Sequence, residues 1–312
     1  MQYKFNVKIT TNTFDKIDGC SDLPRRFAGS MQANLLEFDM IEFFQENKKI
    51  AKVITEVAGL ANYLWQKGWA ERNAGNISVN LSELMTDNDF ELDHFPMFQL
   101  ERSYDALANL YFFVTGTGKR MRDLAISPMK NACIIKMNKK GNAYHIITMK
   151  KKNLYNFRPT SELPTHLAVH NLLVSIGSPN KAVVHTHPNE LVAMTQMPKF
   201  QTAEMLNKTL WGMHPEAFVF VPRGVFLVPY ILPGSHKIAD ATIEGFENGH
   251  EVVIWEKHGA FAIGETVSDA FDMIDILSKS AQIWFMAMQT GNEPEGLNDA
   301  QLAELKEAFL KK

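Results

Sequence analysis

From Met40 to the C-terminus, short apolar runs of strand length alternate with helical stretches, and no Pro/Ser/Gly-rich linker separates them. This alternation predicts a single α/β domain over residues 40–312, because strands and helices interleaved along one chain bury each other's apolar faces in common layers. With 46% hydrophobic residues in 312, the chain can build a sizeable core. The clearest helix begins near Met40 and carries Ile50, Val53, Ile54, Val57, Leu60, Ala61 and Leu64 at helical spacing, with Gly68 marking its end. "NISVNL" and "NLYFFVT" read as strands, and "NACIIKMNKKGNAYHIITM" as a hairpin turning at Lys140-Gly141-Asn142. "PTSELPTHLAVHNLLVSIG" reads as a helix opened by a Ser/Thr–Glu capping signal. "AFVFVPRGVFLVPY" reads as two strands around a Pro-Arg-Gly turn, "EVVIWEKHGAFAIG" as a hairpin, and the stretch from Thr266 as a long amphipathic helix. Residues 1–39 lack this organisation beyond a strand-like "YKFNVKITT" and read as an extension ahead of the domain.

Composition narrows the chemistry. A net charge of −3 gives no whole-molecule attraction to nucleic acid or to an anionic membrane. Two cysteines, Cys20 and Cys133, exclude a disulfide framework and point to the reducing cytoplasm. No apolar run reaches the length of a membrane-spanning helix.

The informative residues are histidines. His185 and His187, in "KAVVHTHPNELVAM", are two apart at the end of a strand. Side chains at i and i+2 of a strand share a face, about 7 Å apart along it. Two neutral imidazoles so placed can clamp a divalent metal, although a lone pair of histidines is as often structural. His258 repeats the pattern: an apolar run, a histidine, then a glycine. Three histidines from two strand ends make a three-nitrogen set with positions open for substrate, the layout of a catalytic zinc. Imidazole favours zinc over magnesium. His166 and His170, four apart on a helix, read as helix surface or core edge rather than as ligands. His94, His145, His236 and His250 read as surface.

Taken in order, "GWAERNAGNISV", "FVTGTGK", "RPTSELPTH", "VVHTHPNELVAM" and "EKHGAFAIG" resemble the class II, zinc-dependent sugar-phosphate aldolases. The resemblance runs from about Met40 to the C-terminus. "TSELP" and "GWAERNAGN" favour the branch that reversibly cleaves L-rhamnulose 1-phosphate to dihydroxyacetone phosphate and L-lactaldehyde. Fuculose-phosphate aldolase, ribulose-phosphate 4-epimerase and methylthioribulose-phosphate dehydratase remain alternatives, as do a scaffold without chemistry and a zinc hydrolase. The epimerase pattern has Asp where this chain has Glu162.

The resemblance implies a three-layer α/β/α fold with a central, mostly antiparallel sheet, assembled as a homotetramer. It implies one zinc ion per subunit on His185, His187 and His258, and Glu162 as the base. It implies a cradle for the substrate phosphate from Asn73, Gly75, Asn76, Thr117 and Gly118, with Thr160 and Ser161 beside the base. Glu216 would reach the site from a neighbouring subunit. Lys119 adds charge to the cradle or simply faces solvent.

Overall fold

The structure is a computed structural model and describes residues 47–85, 92, 95–147 and 156–311. The strand expected in "YKFNVKITT", the rest of the N-terminal extension, the start of the first helix and His94 lie outside the described residues.

Among the described residues, nine strands form one sheet: β1 (Asn76–Asn80), β2 (Met97–Gln99), β3 (Tyr111–Thr115), β4 (Ala132–Met137), β5 (Ala143–Ile146), β6 (Ala182–Thr186), β7 (Val225–Val228), β8 (Val252–Trp255) and β9 (Gly259–Gly264). Their order is β2-β5-β4-β3-β1-β6-β9-β8-β7. Every pairing is antiparallel except β7 with β8. The helices are α1 (Lys48–Gln66), α2 (Met121–Ile126), α3 (Pro128–Asn131), α4 (Leu163–Ser175), α5 (Asn189–Thr195), α6 (Ala203–Met213), α7 (Pro215–Phe220), α8 (His236–Glu247), α9 (Val267–Met288) and α10 (Asp299–Leu305).

Strand alternation divides the core. Ile77, Val79, Val184, Ile254 and Ala262 point to one face and pack with Ile54, Val57 and Leu64 of α1 and Ile274 and Leu277 of α9. Val183, Val253, Phe261 and Ile263 point to the other, against Val169 and Leu173 of α4 and Ile238 and Phe246 of α8. The sheet is therefore buried on both sides, which is why "VVIW" is apolar throughout and "ACIIKM" apolar but for Lys136, instead of alternating. The result is the three-layer α/β/α arrangement with a mostly antiparallel sheet that the resemblance implies.

One element differs. The segment 215–220, read as a strand, is the helix α7. Pro215 stands at its first turn, where a fixed φ and a missing N–H suit a helix start. Phe218 packs edge-on against Trp211 of α6, with centroids 5.5 Å apart. The run "AFVFV", read as the strand, carries no period that separates helix from strand, and Pro215 ahead of it favours the helix.

Candidate metal and acid–base site

The site lies where the ends of β1, β6 and β9 meet the start of α4. Pairing of β1 with β6 sets Asn76 opposite His185. Pairing of β6 with β9 sets Thr186 opposite Ala260 and so carries His187 alongside the turn that holds His258. That turn is tight. The His258 N–H donates to the Trp255 carbonyl at 3.1 Å, and Lys257 adopts φ 61°, a left-handed conformation unusual outside glycine. The Thr195 hydroxyl accepts the Lys257 N–H at 2.8 Å and holds the turn in place. A second left-handed residue, Arg72 (φ 49°), shapes the loop leading to Asn73, Gly75 and Asn76. The Trp69 carbonyl in this loop accepts both the His187 N–H (3.0 Å) and the Thr186 hydroxyl (2.7 Å), which fixes the end of β6.

The three predicted histidines converge, with one ligand atom of each within 4.8 Å of the others. Two of them are oriented from behind. His185 Nδ1–H donates to the Ala260 carbonyl at 2.9 Å, and His187 Nδ1–H donates to Glu71 Oε1 at 3.1 Å. Both bonds leave the Nε2 lone pairs facing each other, 3.3 Å apart. Two lone pairs repel at that distance unless a cation lies between them. An imidazole steadied by a carbonyl or carboxylate on its far nitrogen is the usual form of a metal ligand. His258 leaves its buried Nδ1 without a partner. Burial keeps two of them neutral: it holds His185 well below the ordinary imidazole range and His258 at about 4, each helped by the neighbouring histidines. Neutral imidazole is the ligating form, so these residues fit a divalent metal.

Gly259 permits the convergence. A Cβ there would lie 2.5 Å from the Thr186 carbonyl oxygen, 2.9 Å from His187 Cδ2 and 3.0 Å from His185 Cε1. Gly259→Ala is expected to destabilise the protein by ~1–3 kcal/mol through overpacking and to lower metal affinity at least tenfold. A thermal melt paired with a zinc-binding titration checks this; unchanged affinity would mean that the histidines tolerate the displacement.

Glu162 is buried, 7% exposed, at the entrance to α4. Its side chain makes no capping bond to the helix, so the capping signal in "TSEL" is not realised. The carboxylate turns inward instead. Oε2 lies 3.4 Å from His185 Nε2 and accepts from Asn76 Nδ2 at 2.7 Å, while Oε1 lies 3.9 Å from His258 Nε2. Burial raises its pKa to about 7, with the Asn76 hydrogen bond pulling the other way. A carboxyl group poised near neutrality beside a metal-competent cluster can exchange protons with a substrate.

Two of the expected phosphate residues touch Glu162: Asn76 on its carboxylate, and Thr160, whose hydroxyl accepts the Glu162 N–H at 3.3 Å. A bridge between Gly116 and Pro159 and the Thr160 N–H on the Thr115 carbonyl (2.8 Å) bring the Thr117-Gly118 turn beside Thr160 and Ser161. Asn73, Thr117, Gly118 and Ser161 are exposed; Gly75, Asn76 and Thr160 are buried. The Thr117 N–H is engaged by the Arg158 carbonyl at 2.9 Å, leaving its hydroxyl as the donor for an anion. Lys119 is half-buried with Nζ 5.5 Å from the centre of the Phe157 ring. Asn76 sits on Glu162 rather than out among the exposed donors. A cavity of about 460 Å³ opens at the histidines, lined by Glu71, His187, Asn189, Val192, Lys257 and His258.

Glu216 does not line this cavity; it is exposed at the start of α7, with Oε2 3.1 Å from His214 Nε2. His145, His236 and His250 are half-buried, each with a partner of its own, and none joins the cluster.

Two residues differ from the reading of the sequence. His166 and His170 are neither on the helix surface nor at the core edge: they are 0% and 1% exposed, directly behind Glu162. The spacing Glu162, His166, His170 is one stripe of a helix, and that i, i+4, i+8 pattern is the one signal that could have found them.

The matched family and relatives accord with this geometry. The family model described as "Class II Aldolase and Adducin N-terminal domain" matches residues 55–285. The rhamnulose-1-phosphate aldolase of Bacteroides thetaiotaomicron is 44% identical over 273 residues, covering 86% of this chain and 98% of that protein. That of Mannheimia succiniciproducens is 33% identical, covering 79% and 90%. The crystal structure of a sugar-phosphate aldolase from Thermotoga maritima superposes with a TM-score of 0.69 at 33% identity, covering 80% of this chain and all of that one. The gathered histidines and the buried carboxylate thus lie within a chain that belongs to the class II aldolase family.

Proposed function

We propose that the protein is a zinc-dependent rhamnulose-1-phosphate aldolase of rhamnose breakdown, cleaving L-rhamnulose 1-phosphate reversibly to dihydroxyacetone phosphate and L-lactaldehyde. The observation that carries the reading is the Glu162 carboxylate held 3.4 Å from His185 and 3.9 Å from His258, two members of a three-histidine cluster. The relatives named for this substrate, at 44% and 33% identity, favour it over the fuculose, epimerase and dehydratase alternatives.

His185, His187 and His258 hold the zinc, three nitrogen ligands with the remaining positions open. When bound, the zinc supplies electrostatic stabilisation of the negative charge that develops on the substrate oxygens beside the breaking bond. Asn73, Gly75, Asn76, Thr117, Gly118, Thr160 and Ser161 form the phosphate cradle and fix the sugar with C3 toward Glu162. Cleavage passes the proton of the C4 hydroxyl to the carboxylate of Glu216, breaks the C3–C4 bond and leaves the electron pair on C3. Glu162 delivers a proton to C3 to give dihydroxyacetone phosphate, and in the condensation direction it takes that proton away. Glu216 of an adjacent subunit assists at the C4 oxygen, in a cytoplasmic homotetramer. Residues 40–312 form the catalytic domain, with 1–39 an extension outside it.

The test is a coupled assay for dihydroxyacetone phosphate on purified protein, with L-rhamnulose 1-phosphate and L-fuculose 1-phosphate as parallel substrates. Higher kcat/KM for the rhamnulose ester is expected. Preference for the fuculose ester, or no triose phosphate from either, would overturn the substrate assignment.

A further inference from the structure

Behind Glu162 runs a buried polar chain with a defined direction. Asn76 Nδ2 bonds Glu162 Oε2 at 2.7 Å; Asn76 Oδ1 bonds His166 Nε2; His166 Nδ1 bonds Ser78 Oγ at 2.7 Å; and Ser78 Oγ bonds His170 Nε2 at 2.8 Å. Asn76 is 7% exposed, and Ser78, His166 and His170 are 1% or less. Phe112 and Phe261 pack on the two imidazoles.

The chain exists because two ladders match. Four residues of a helix rise about 6 Å, and two residues of a strand about 6.6 Å. Glu162, His166 and His170 on α4 therefore stay in step with Asn76 and Ser78 on β1. An ionised carboxylate only accepts, so the direction follows from that end. Asn76 must present its N–H to Glu162 and hence its carbonyl to His166. His166 must carry its proton on Nε2, leaving Nδ1 to accept from the Ser78 hydroxyl. The Ser78 oxygen then accepts from His170 Nε2–H. Both histidines are neutral in this arrangement, consistent with burial lowering each to about 3.

We infer that His166, with Ser78 and His170 behind it, is a positioning residue that locks the amide of Asn76 N–H-first onto Glu162. Without this lock the Asn76 amide can turn over and set its oxygen against the carboxylate. The role rests on Glu162 being the base of the proposed reaction. The lock holds one carboxylate oxygen and leaves Oε1 directed at the metal cluster and substrate.

The experiment compares His166→Phe, which fills the space without polar atoms, with His166→Gln, whose amide N–H replaces the Nε2 donor. Phe should lower kcat about 10–100-fold, the effect of a small misplacement of a reacting group, with KM within about threefold and zinc content unchanged. Gln should recover most of the loss. Equal activity in His166→Phe and parent, or equal loss in both variants, would overturn the lock. Long-range 1H–15N correlation on imidazole-labelled, zinc-loaded protein supplies a readout independent of turnover and of variant folding. It should show His166 and His170 as neutral Nε2–H tautomers, with the His166 assignment blurred in Ser78→Ala. An Nδ1–H tautomer at His166 refutes the direction of the chain. Inactivity of the parent on L-rhamnulose 1-phosphate would sink the proposed function while the tautomers still decide the lock.

Discussion

Glu162→Gln is expected to lower kcat for cleavage of L-rhamnulose 1-phosphate by about 10²–10⁴-fold, the contribution of a positioned general acid–base. Glutamine keeps the shape, and its carbonyl oxygen can still accept from Asn76 Nδ2, which now bonds Glu162 at 2.7 Å. Fold and zinc content should therefore survive, and the loss should fall on kcat more than on KM. The charge is what disappears. Burial, opposed by the Asn76 hydrogen bond, sets the Glu162 carboxyl at about 7, and a divalent ion beside it favours the ionised form. In the condensation direction Glu162 takes the proton from C3 and works only when deprotonated, so parent condensation of dihydroxyacetone phosphate with L-lactaldehyde should slow as pH drops, with the acid limb at or below pH 7. The variant should lack that limb. Steady-state assays from pH 5 to 9 measure both effects. A Gln variant within a few-fold of the parent, with the same limb, would remove Glu162 from the chemistry.

The second large effect concerns the metal ligands. His187→Ala is expected to abolish stoichiometric zinc binding and, with it, activity, because two imidazoles and water do not replace three convergent nitrogens. His187 is the better choice than His185, which packs between Trp255 and Phe261 (centroids 5.1 and 4.3 Å) and whose loss would open the core. Glu71→Gln tests the outer partner. Its carboxylate holds His187 Nδ1–H at 3.1 Å, and losing such a partner weakens metal binding by about 10–100-fold. Zinc content by elemental analysis and competition with a chelating dye would measure both. Full zinc occupancy in His187→Ala would place the metal elsewhere.

The parts of this site differ in how far the sequence discloses them, for physical reasons. His185 and His187 are legible because the two-residue period of a strand is local, and His258 because its glycine repeats the motif. Glu162 is legible only through the family motif; on spacing alone it is equally a helix cap, and the buried contact to Asn76 decides between the two. His166 and His170 were not legible as a network. α4 is buried on almost every side, so its residues show no amphipathic face to assign, and nothing local says that β1 will place Asn76 and Ser78 against it. The α/β class follows from the alternation of strand and helix patterns and the layers from the family resemblance, but α7 follows from neither, because the apolar run "AFVFV" carries no period. The short edge strand β2 is three residues and has no signal of its own. Glu216 is the remaining case: its expected role depends on a second chain, and within its own chain it pairs with His214.

The most direct measurement is a zinc titration of metal-stripped protein, with release of dihydroxyacetone phosphate from L-rhamnulose 1-phosphate followed at each addition. Activity should start near zero, rise linearly and break at one zinc per chain, as a single three-histidine site in each subunit requires. Undiminished release from the stripped protein, or activity indifferent to added zinc, would contradict the account.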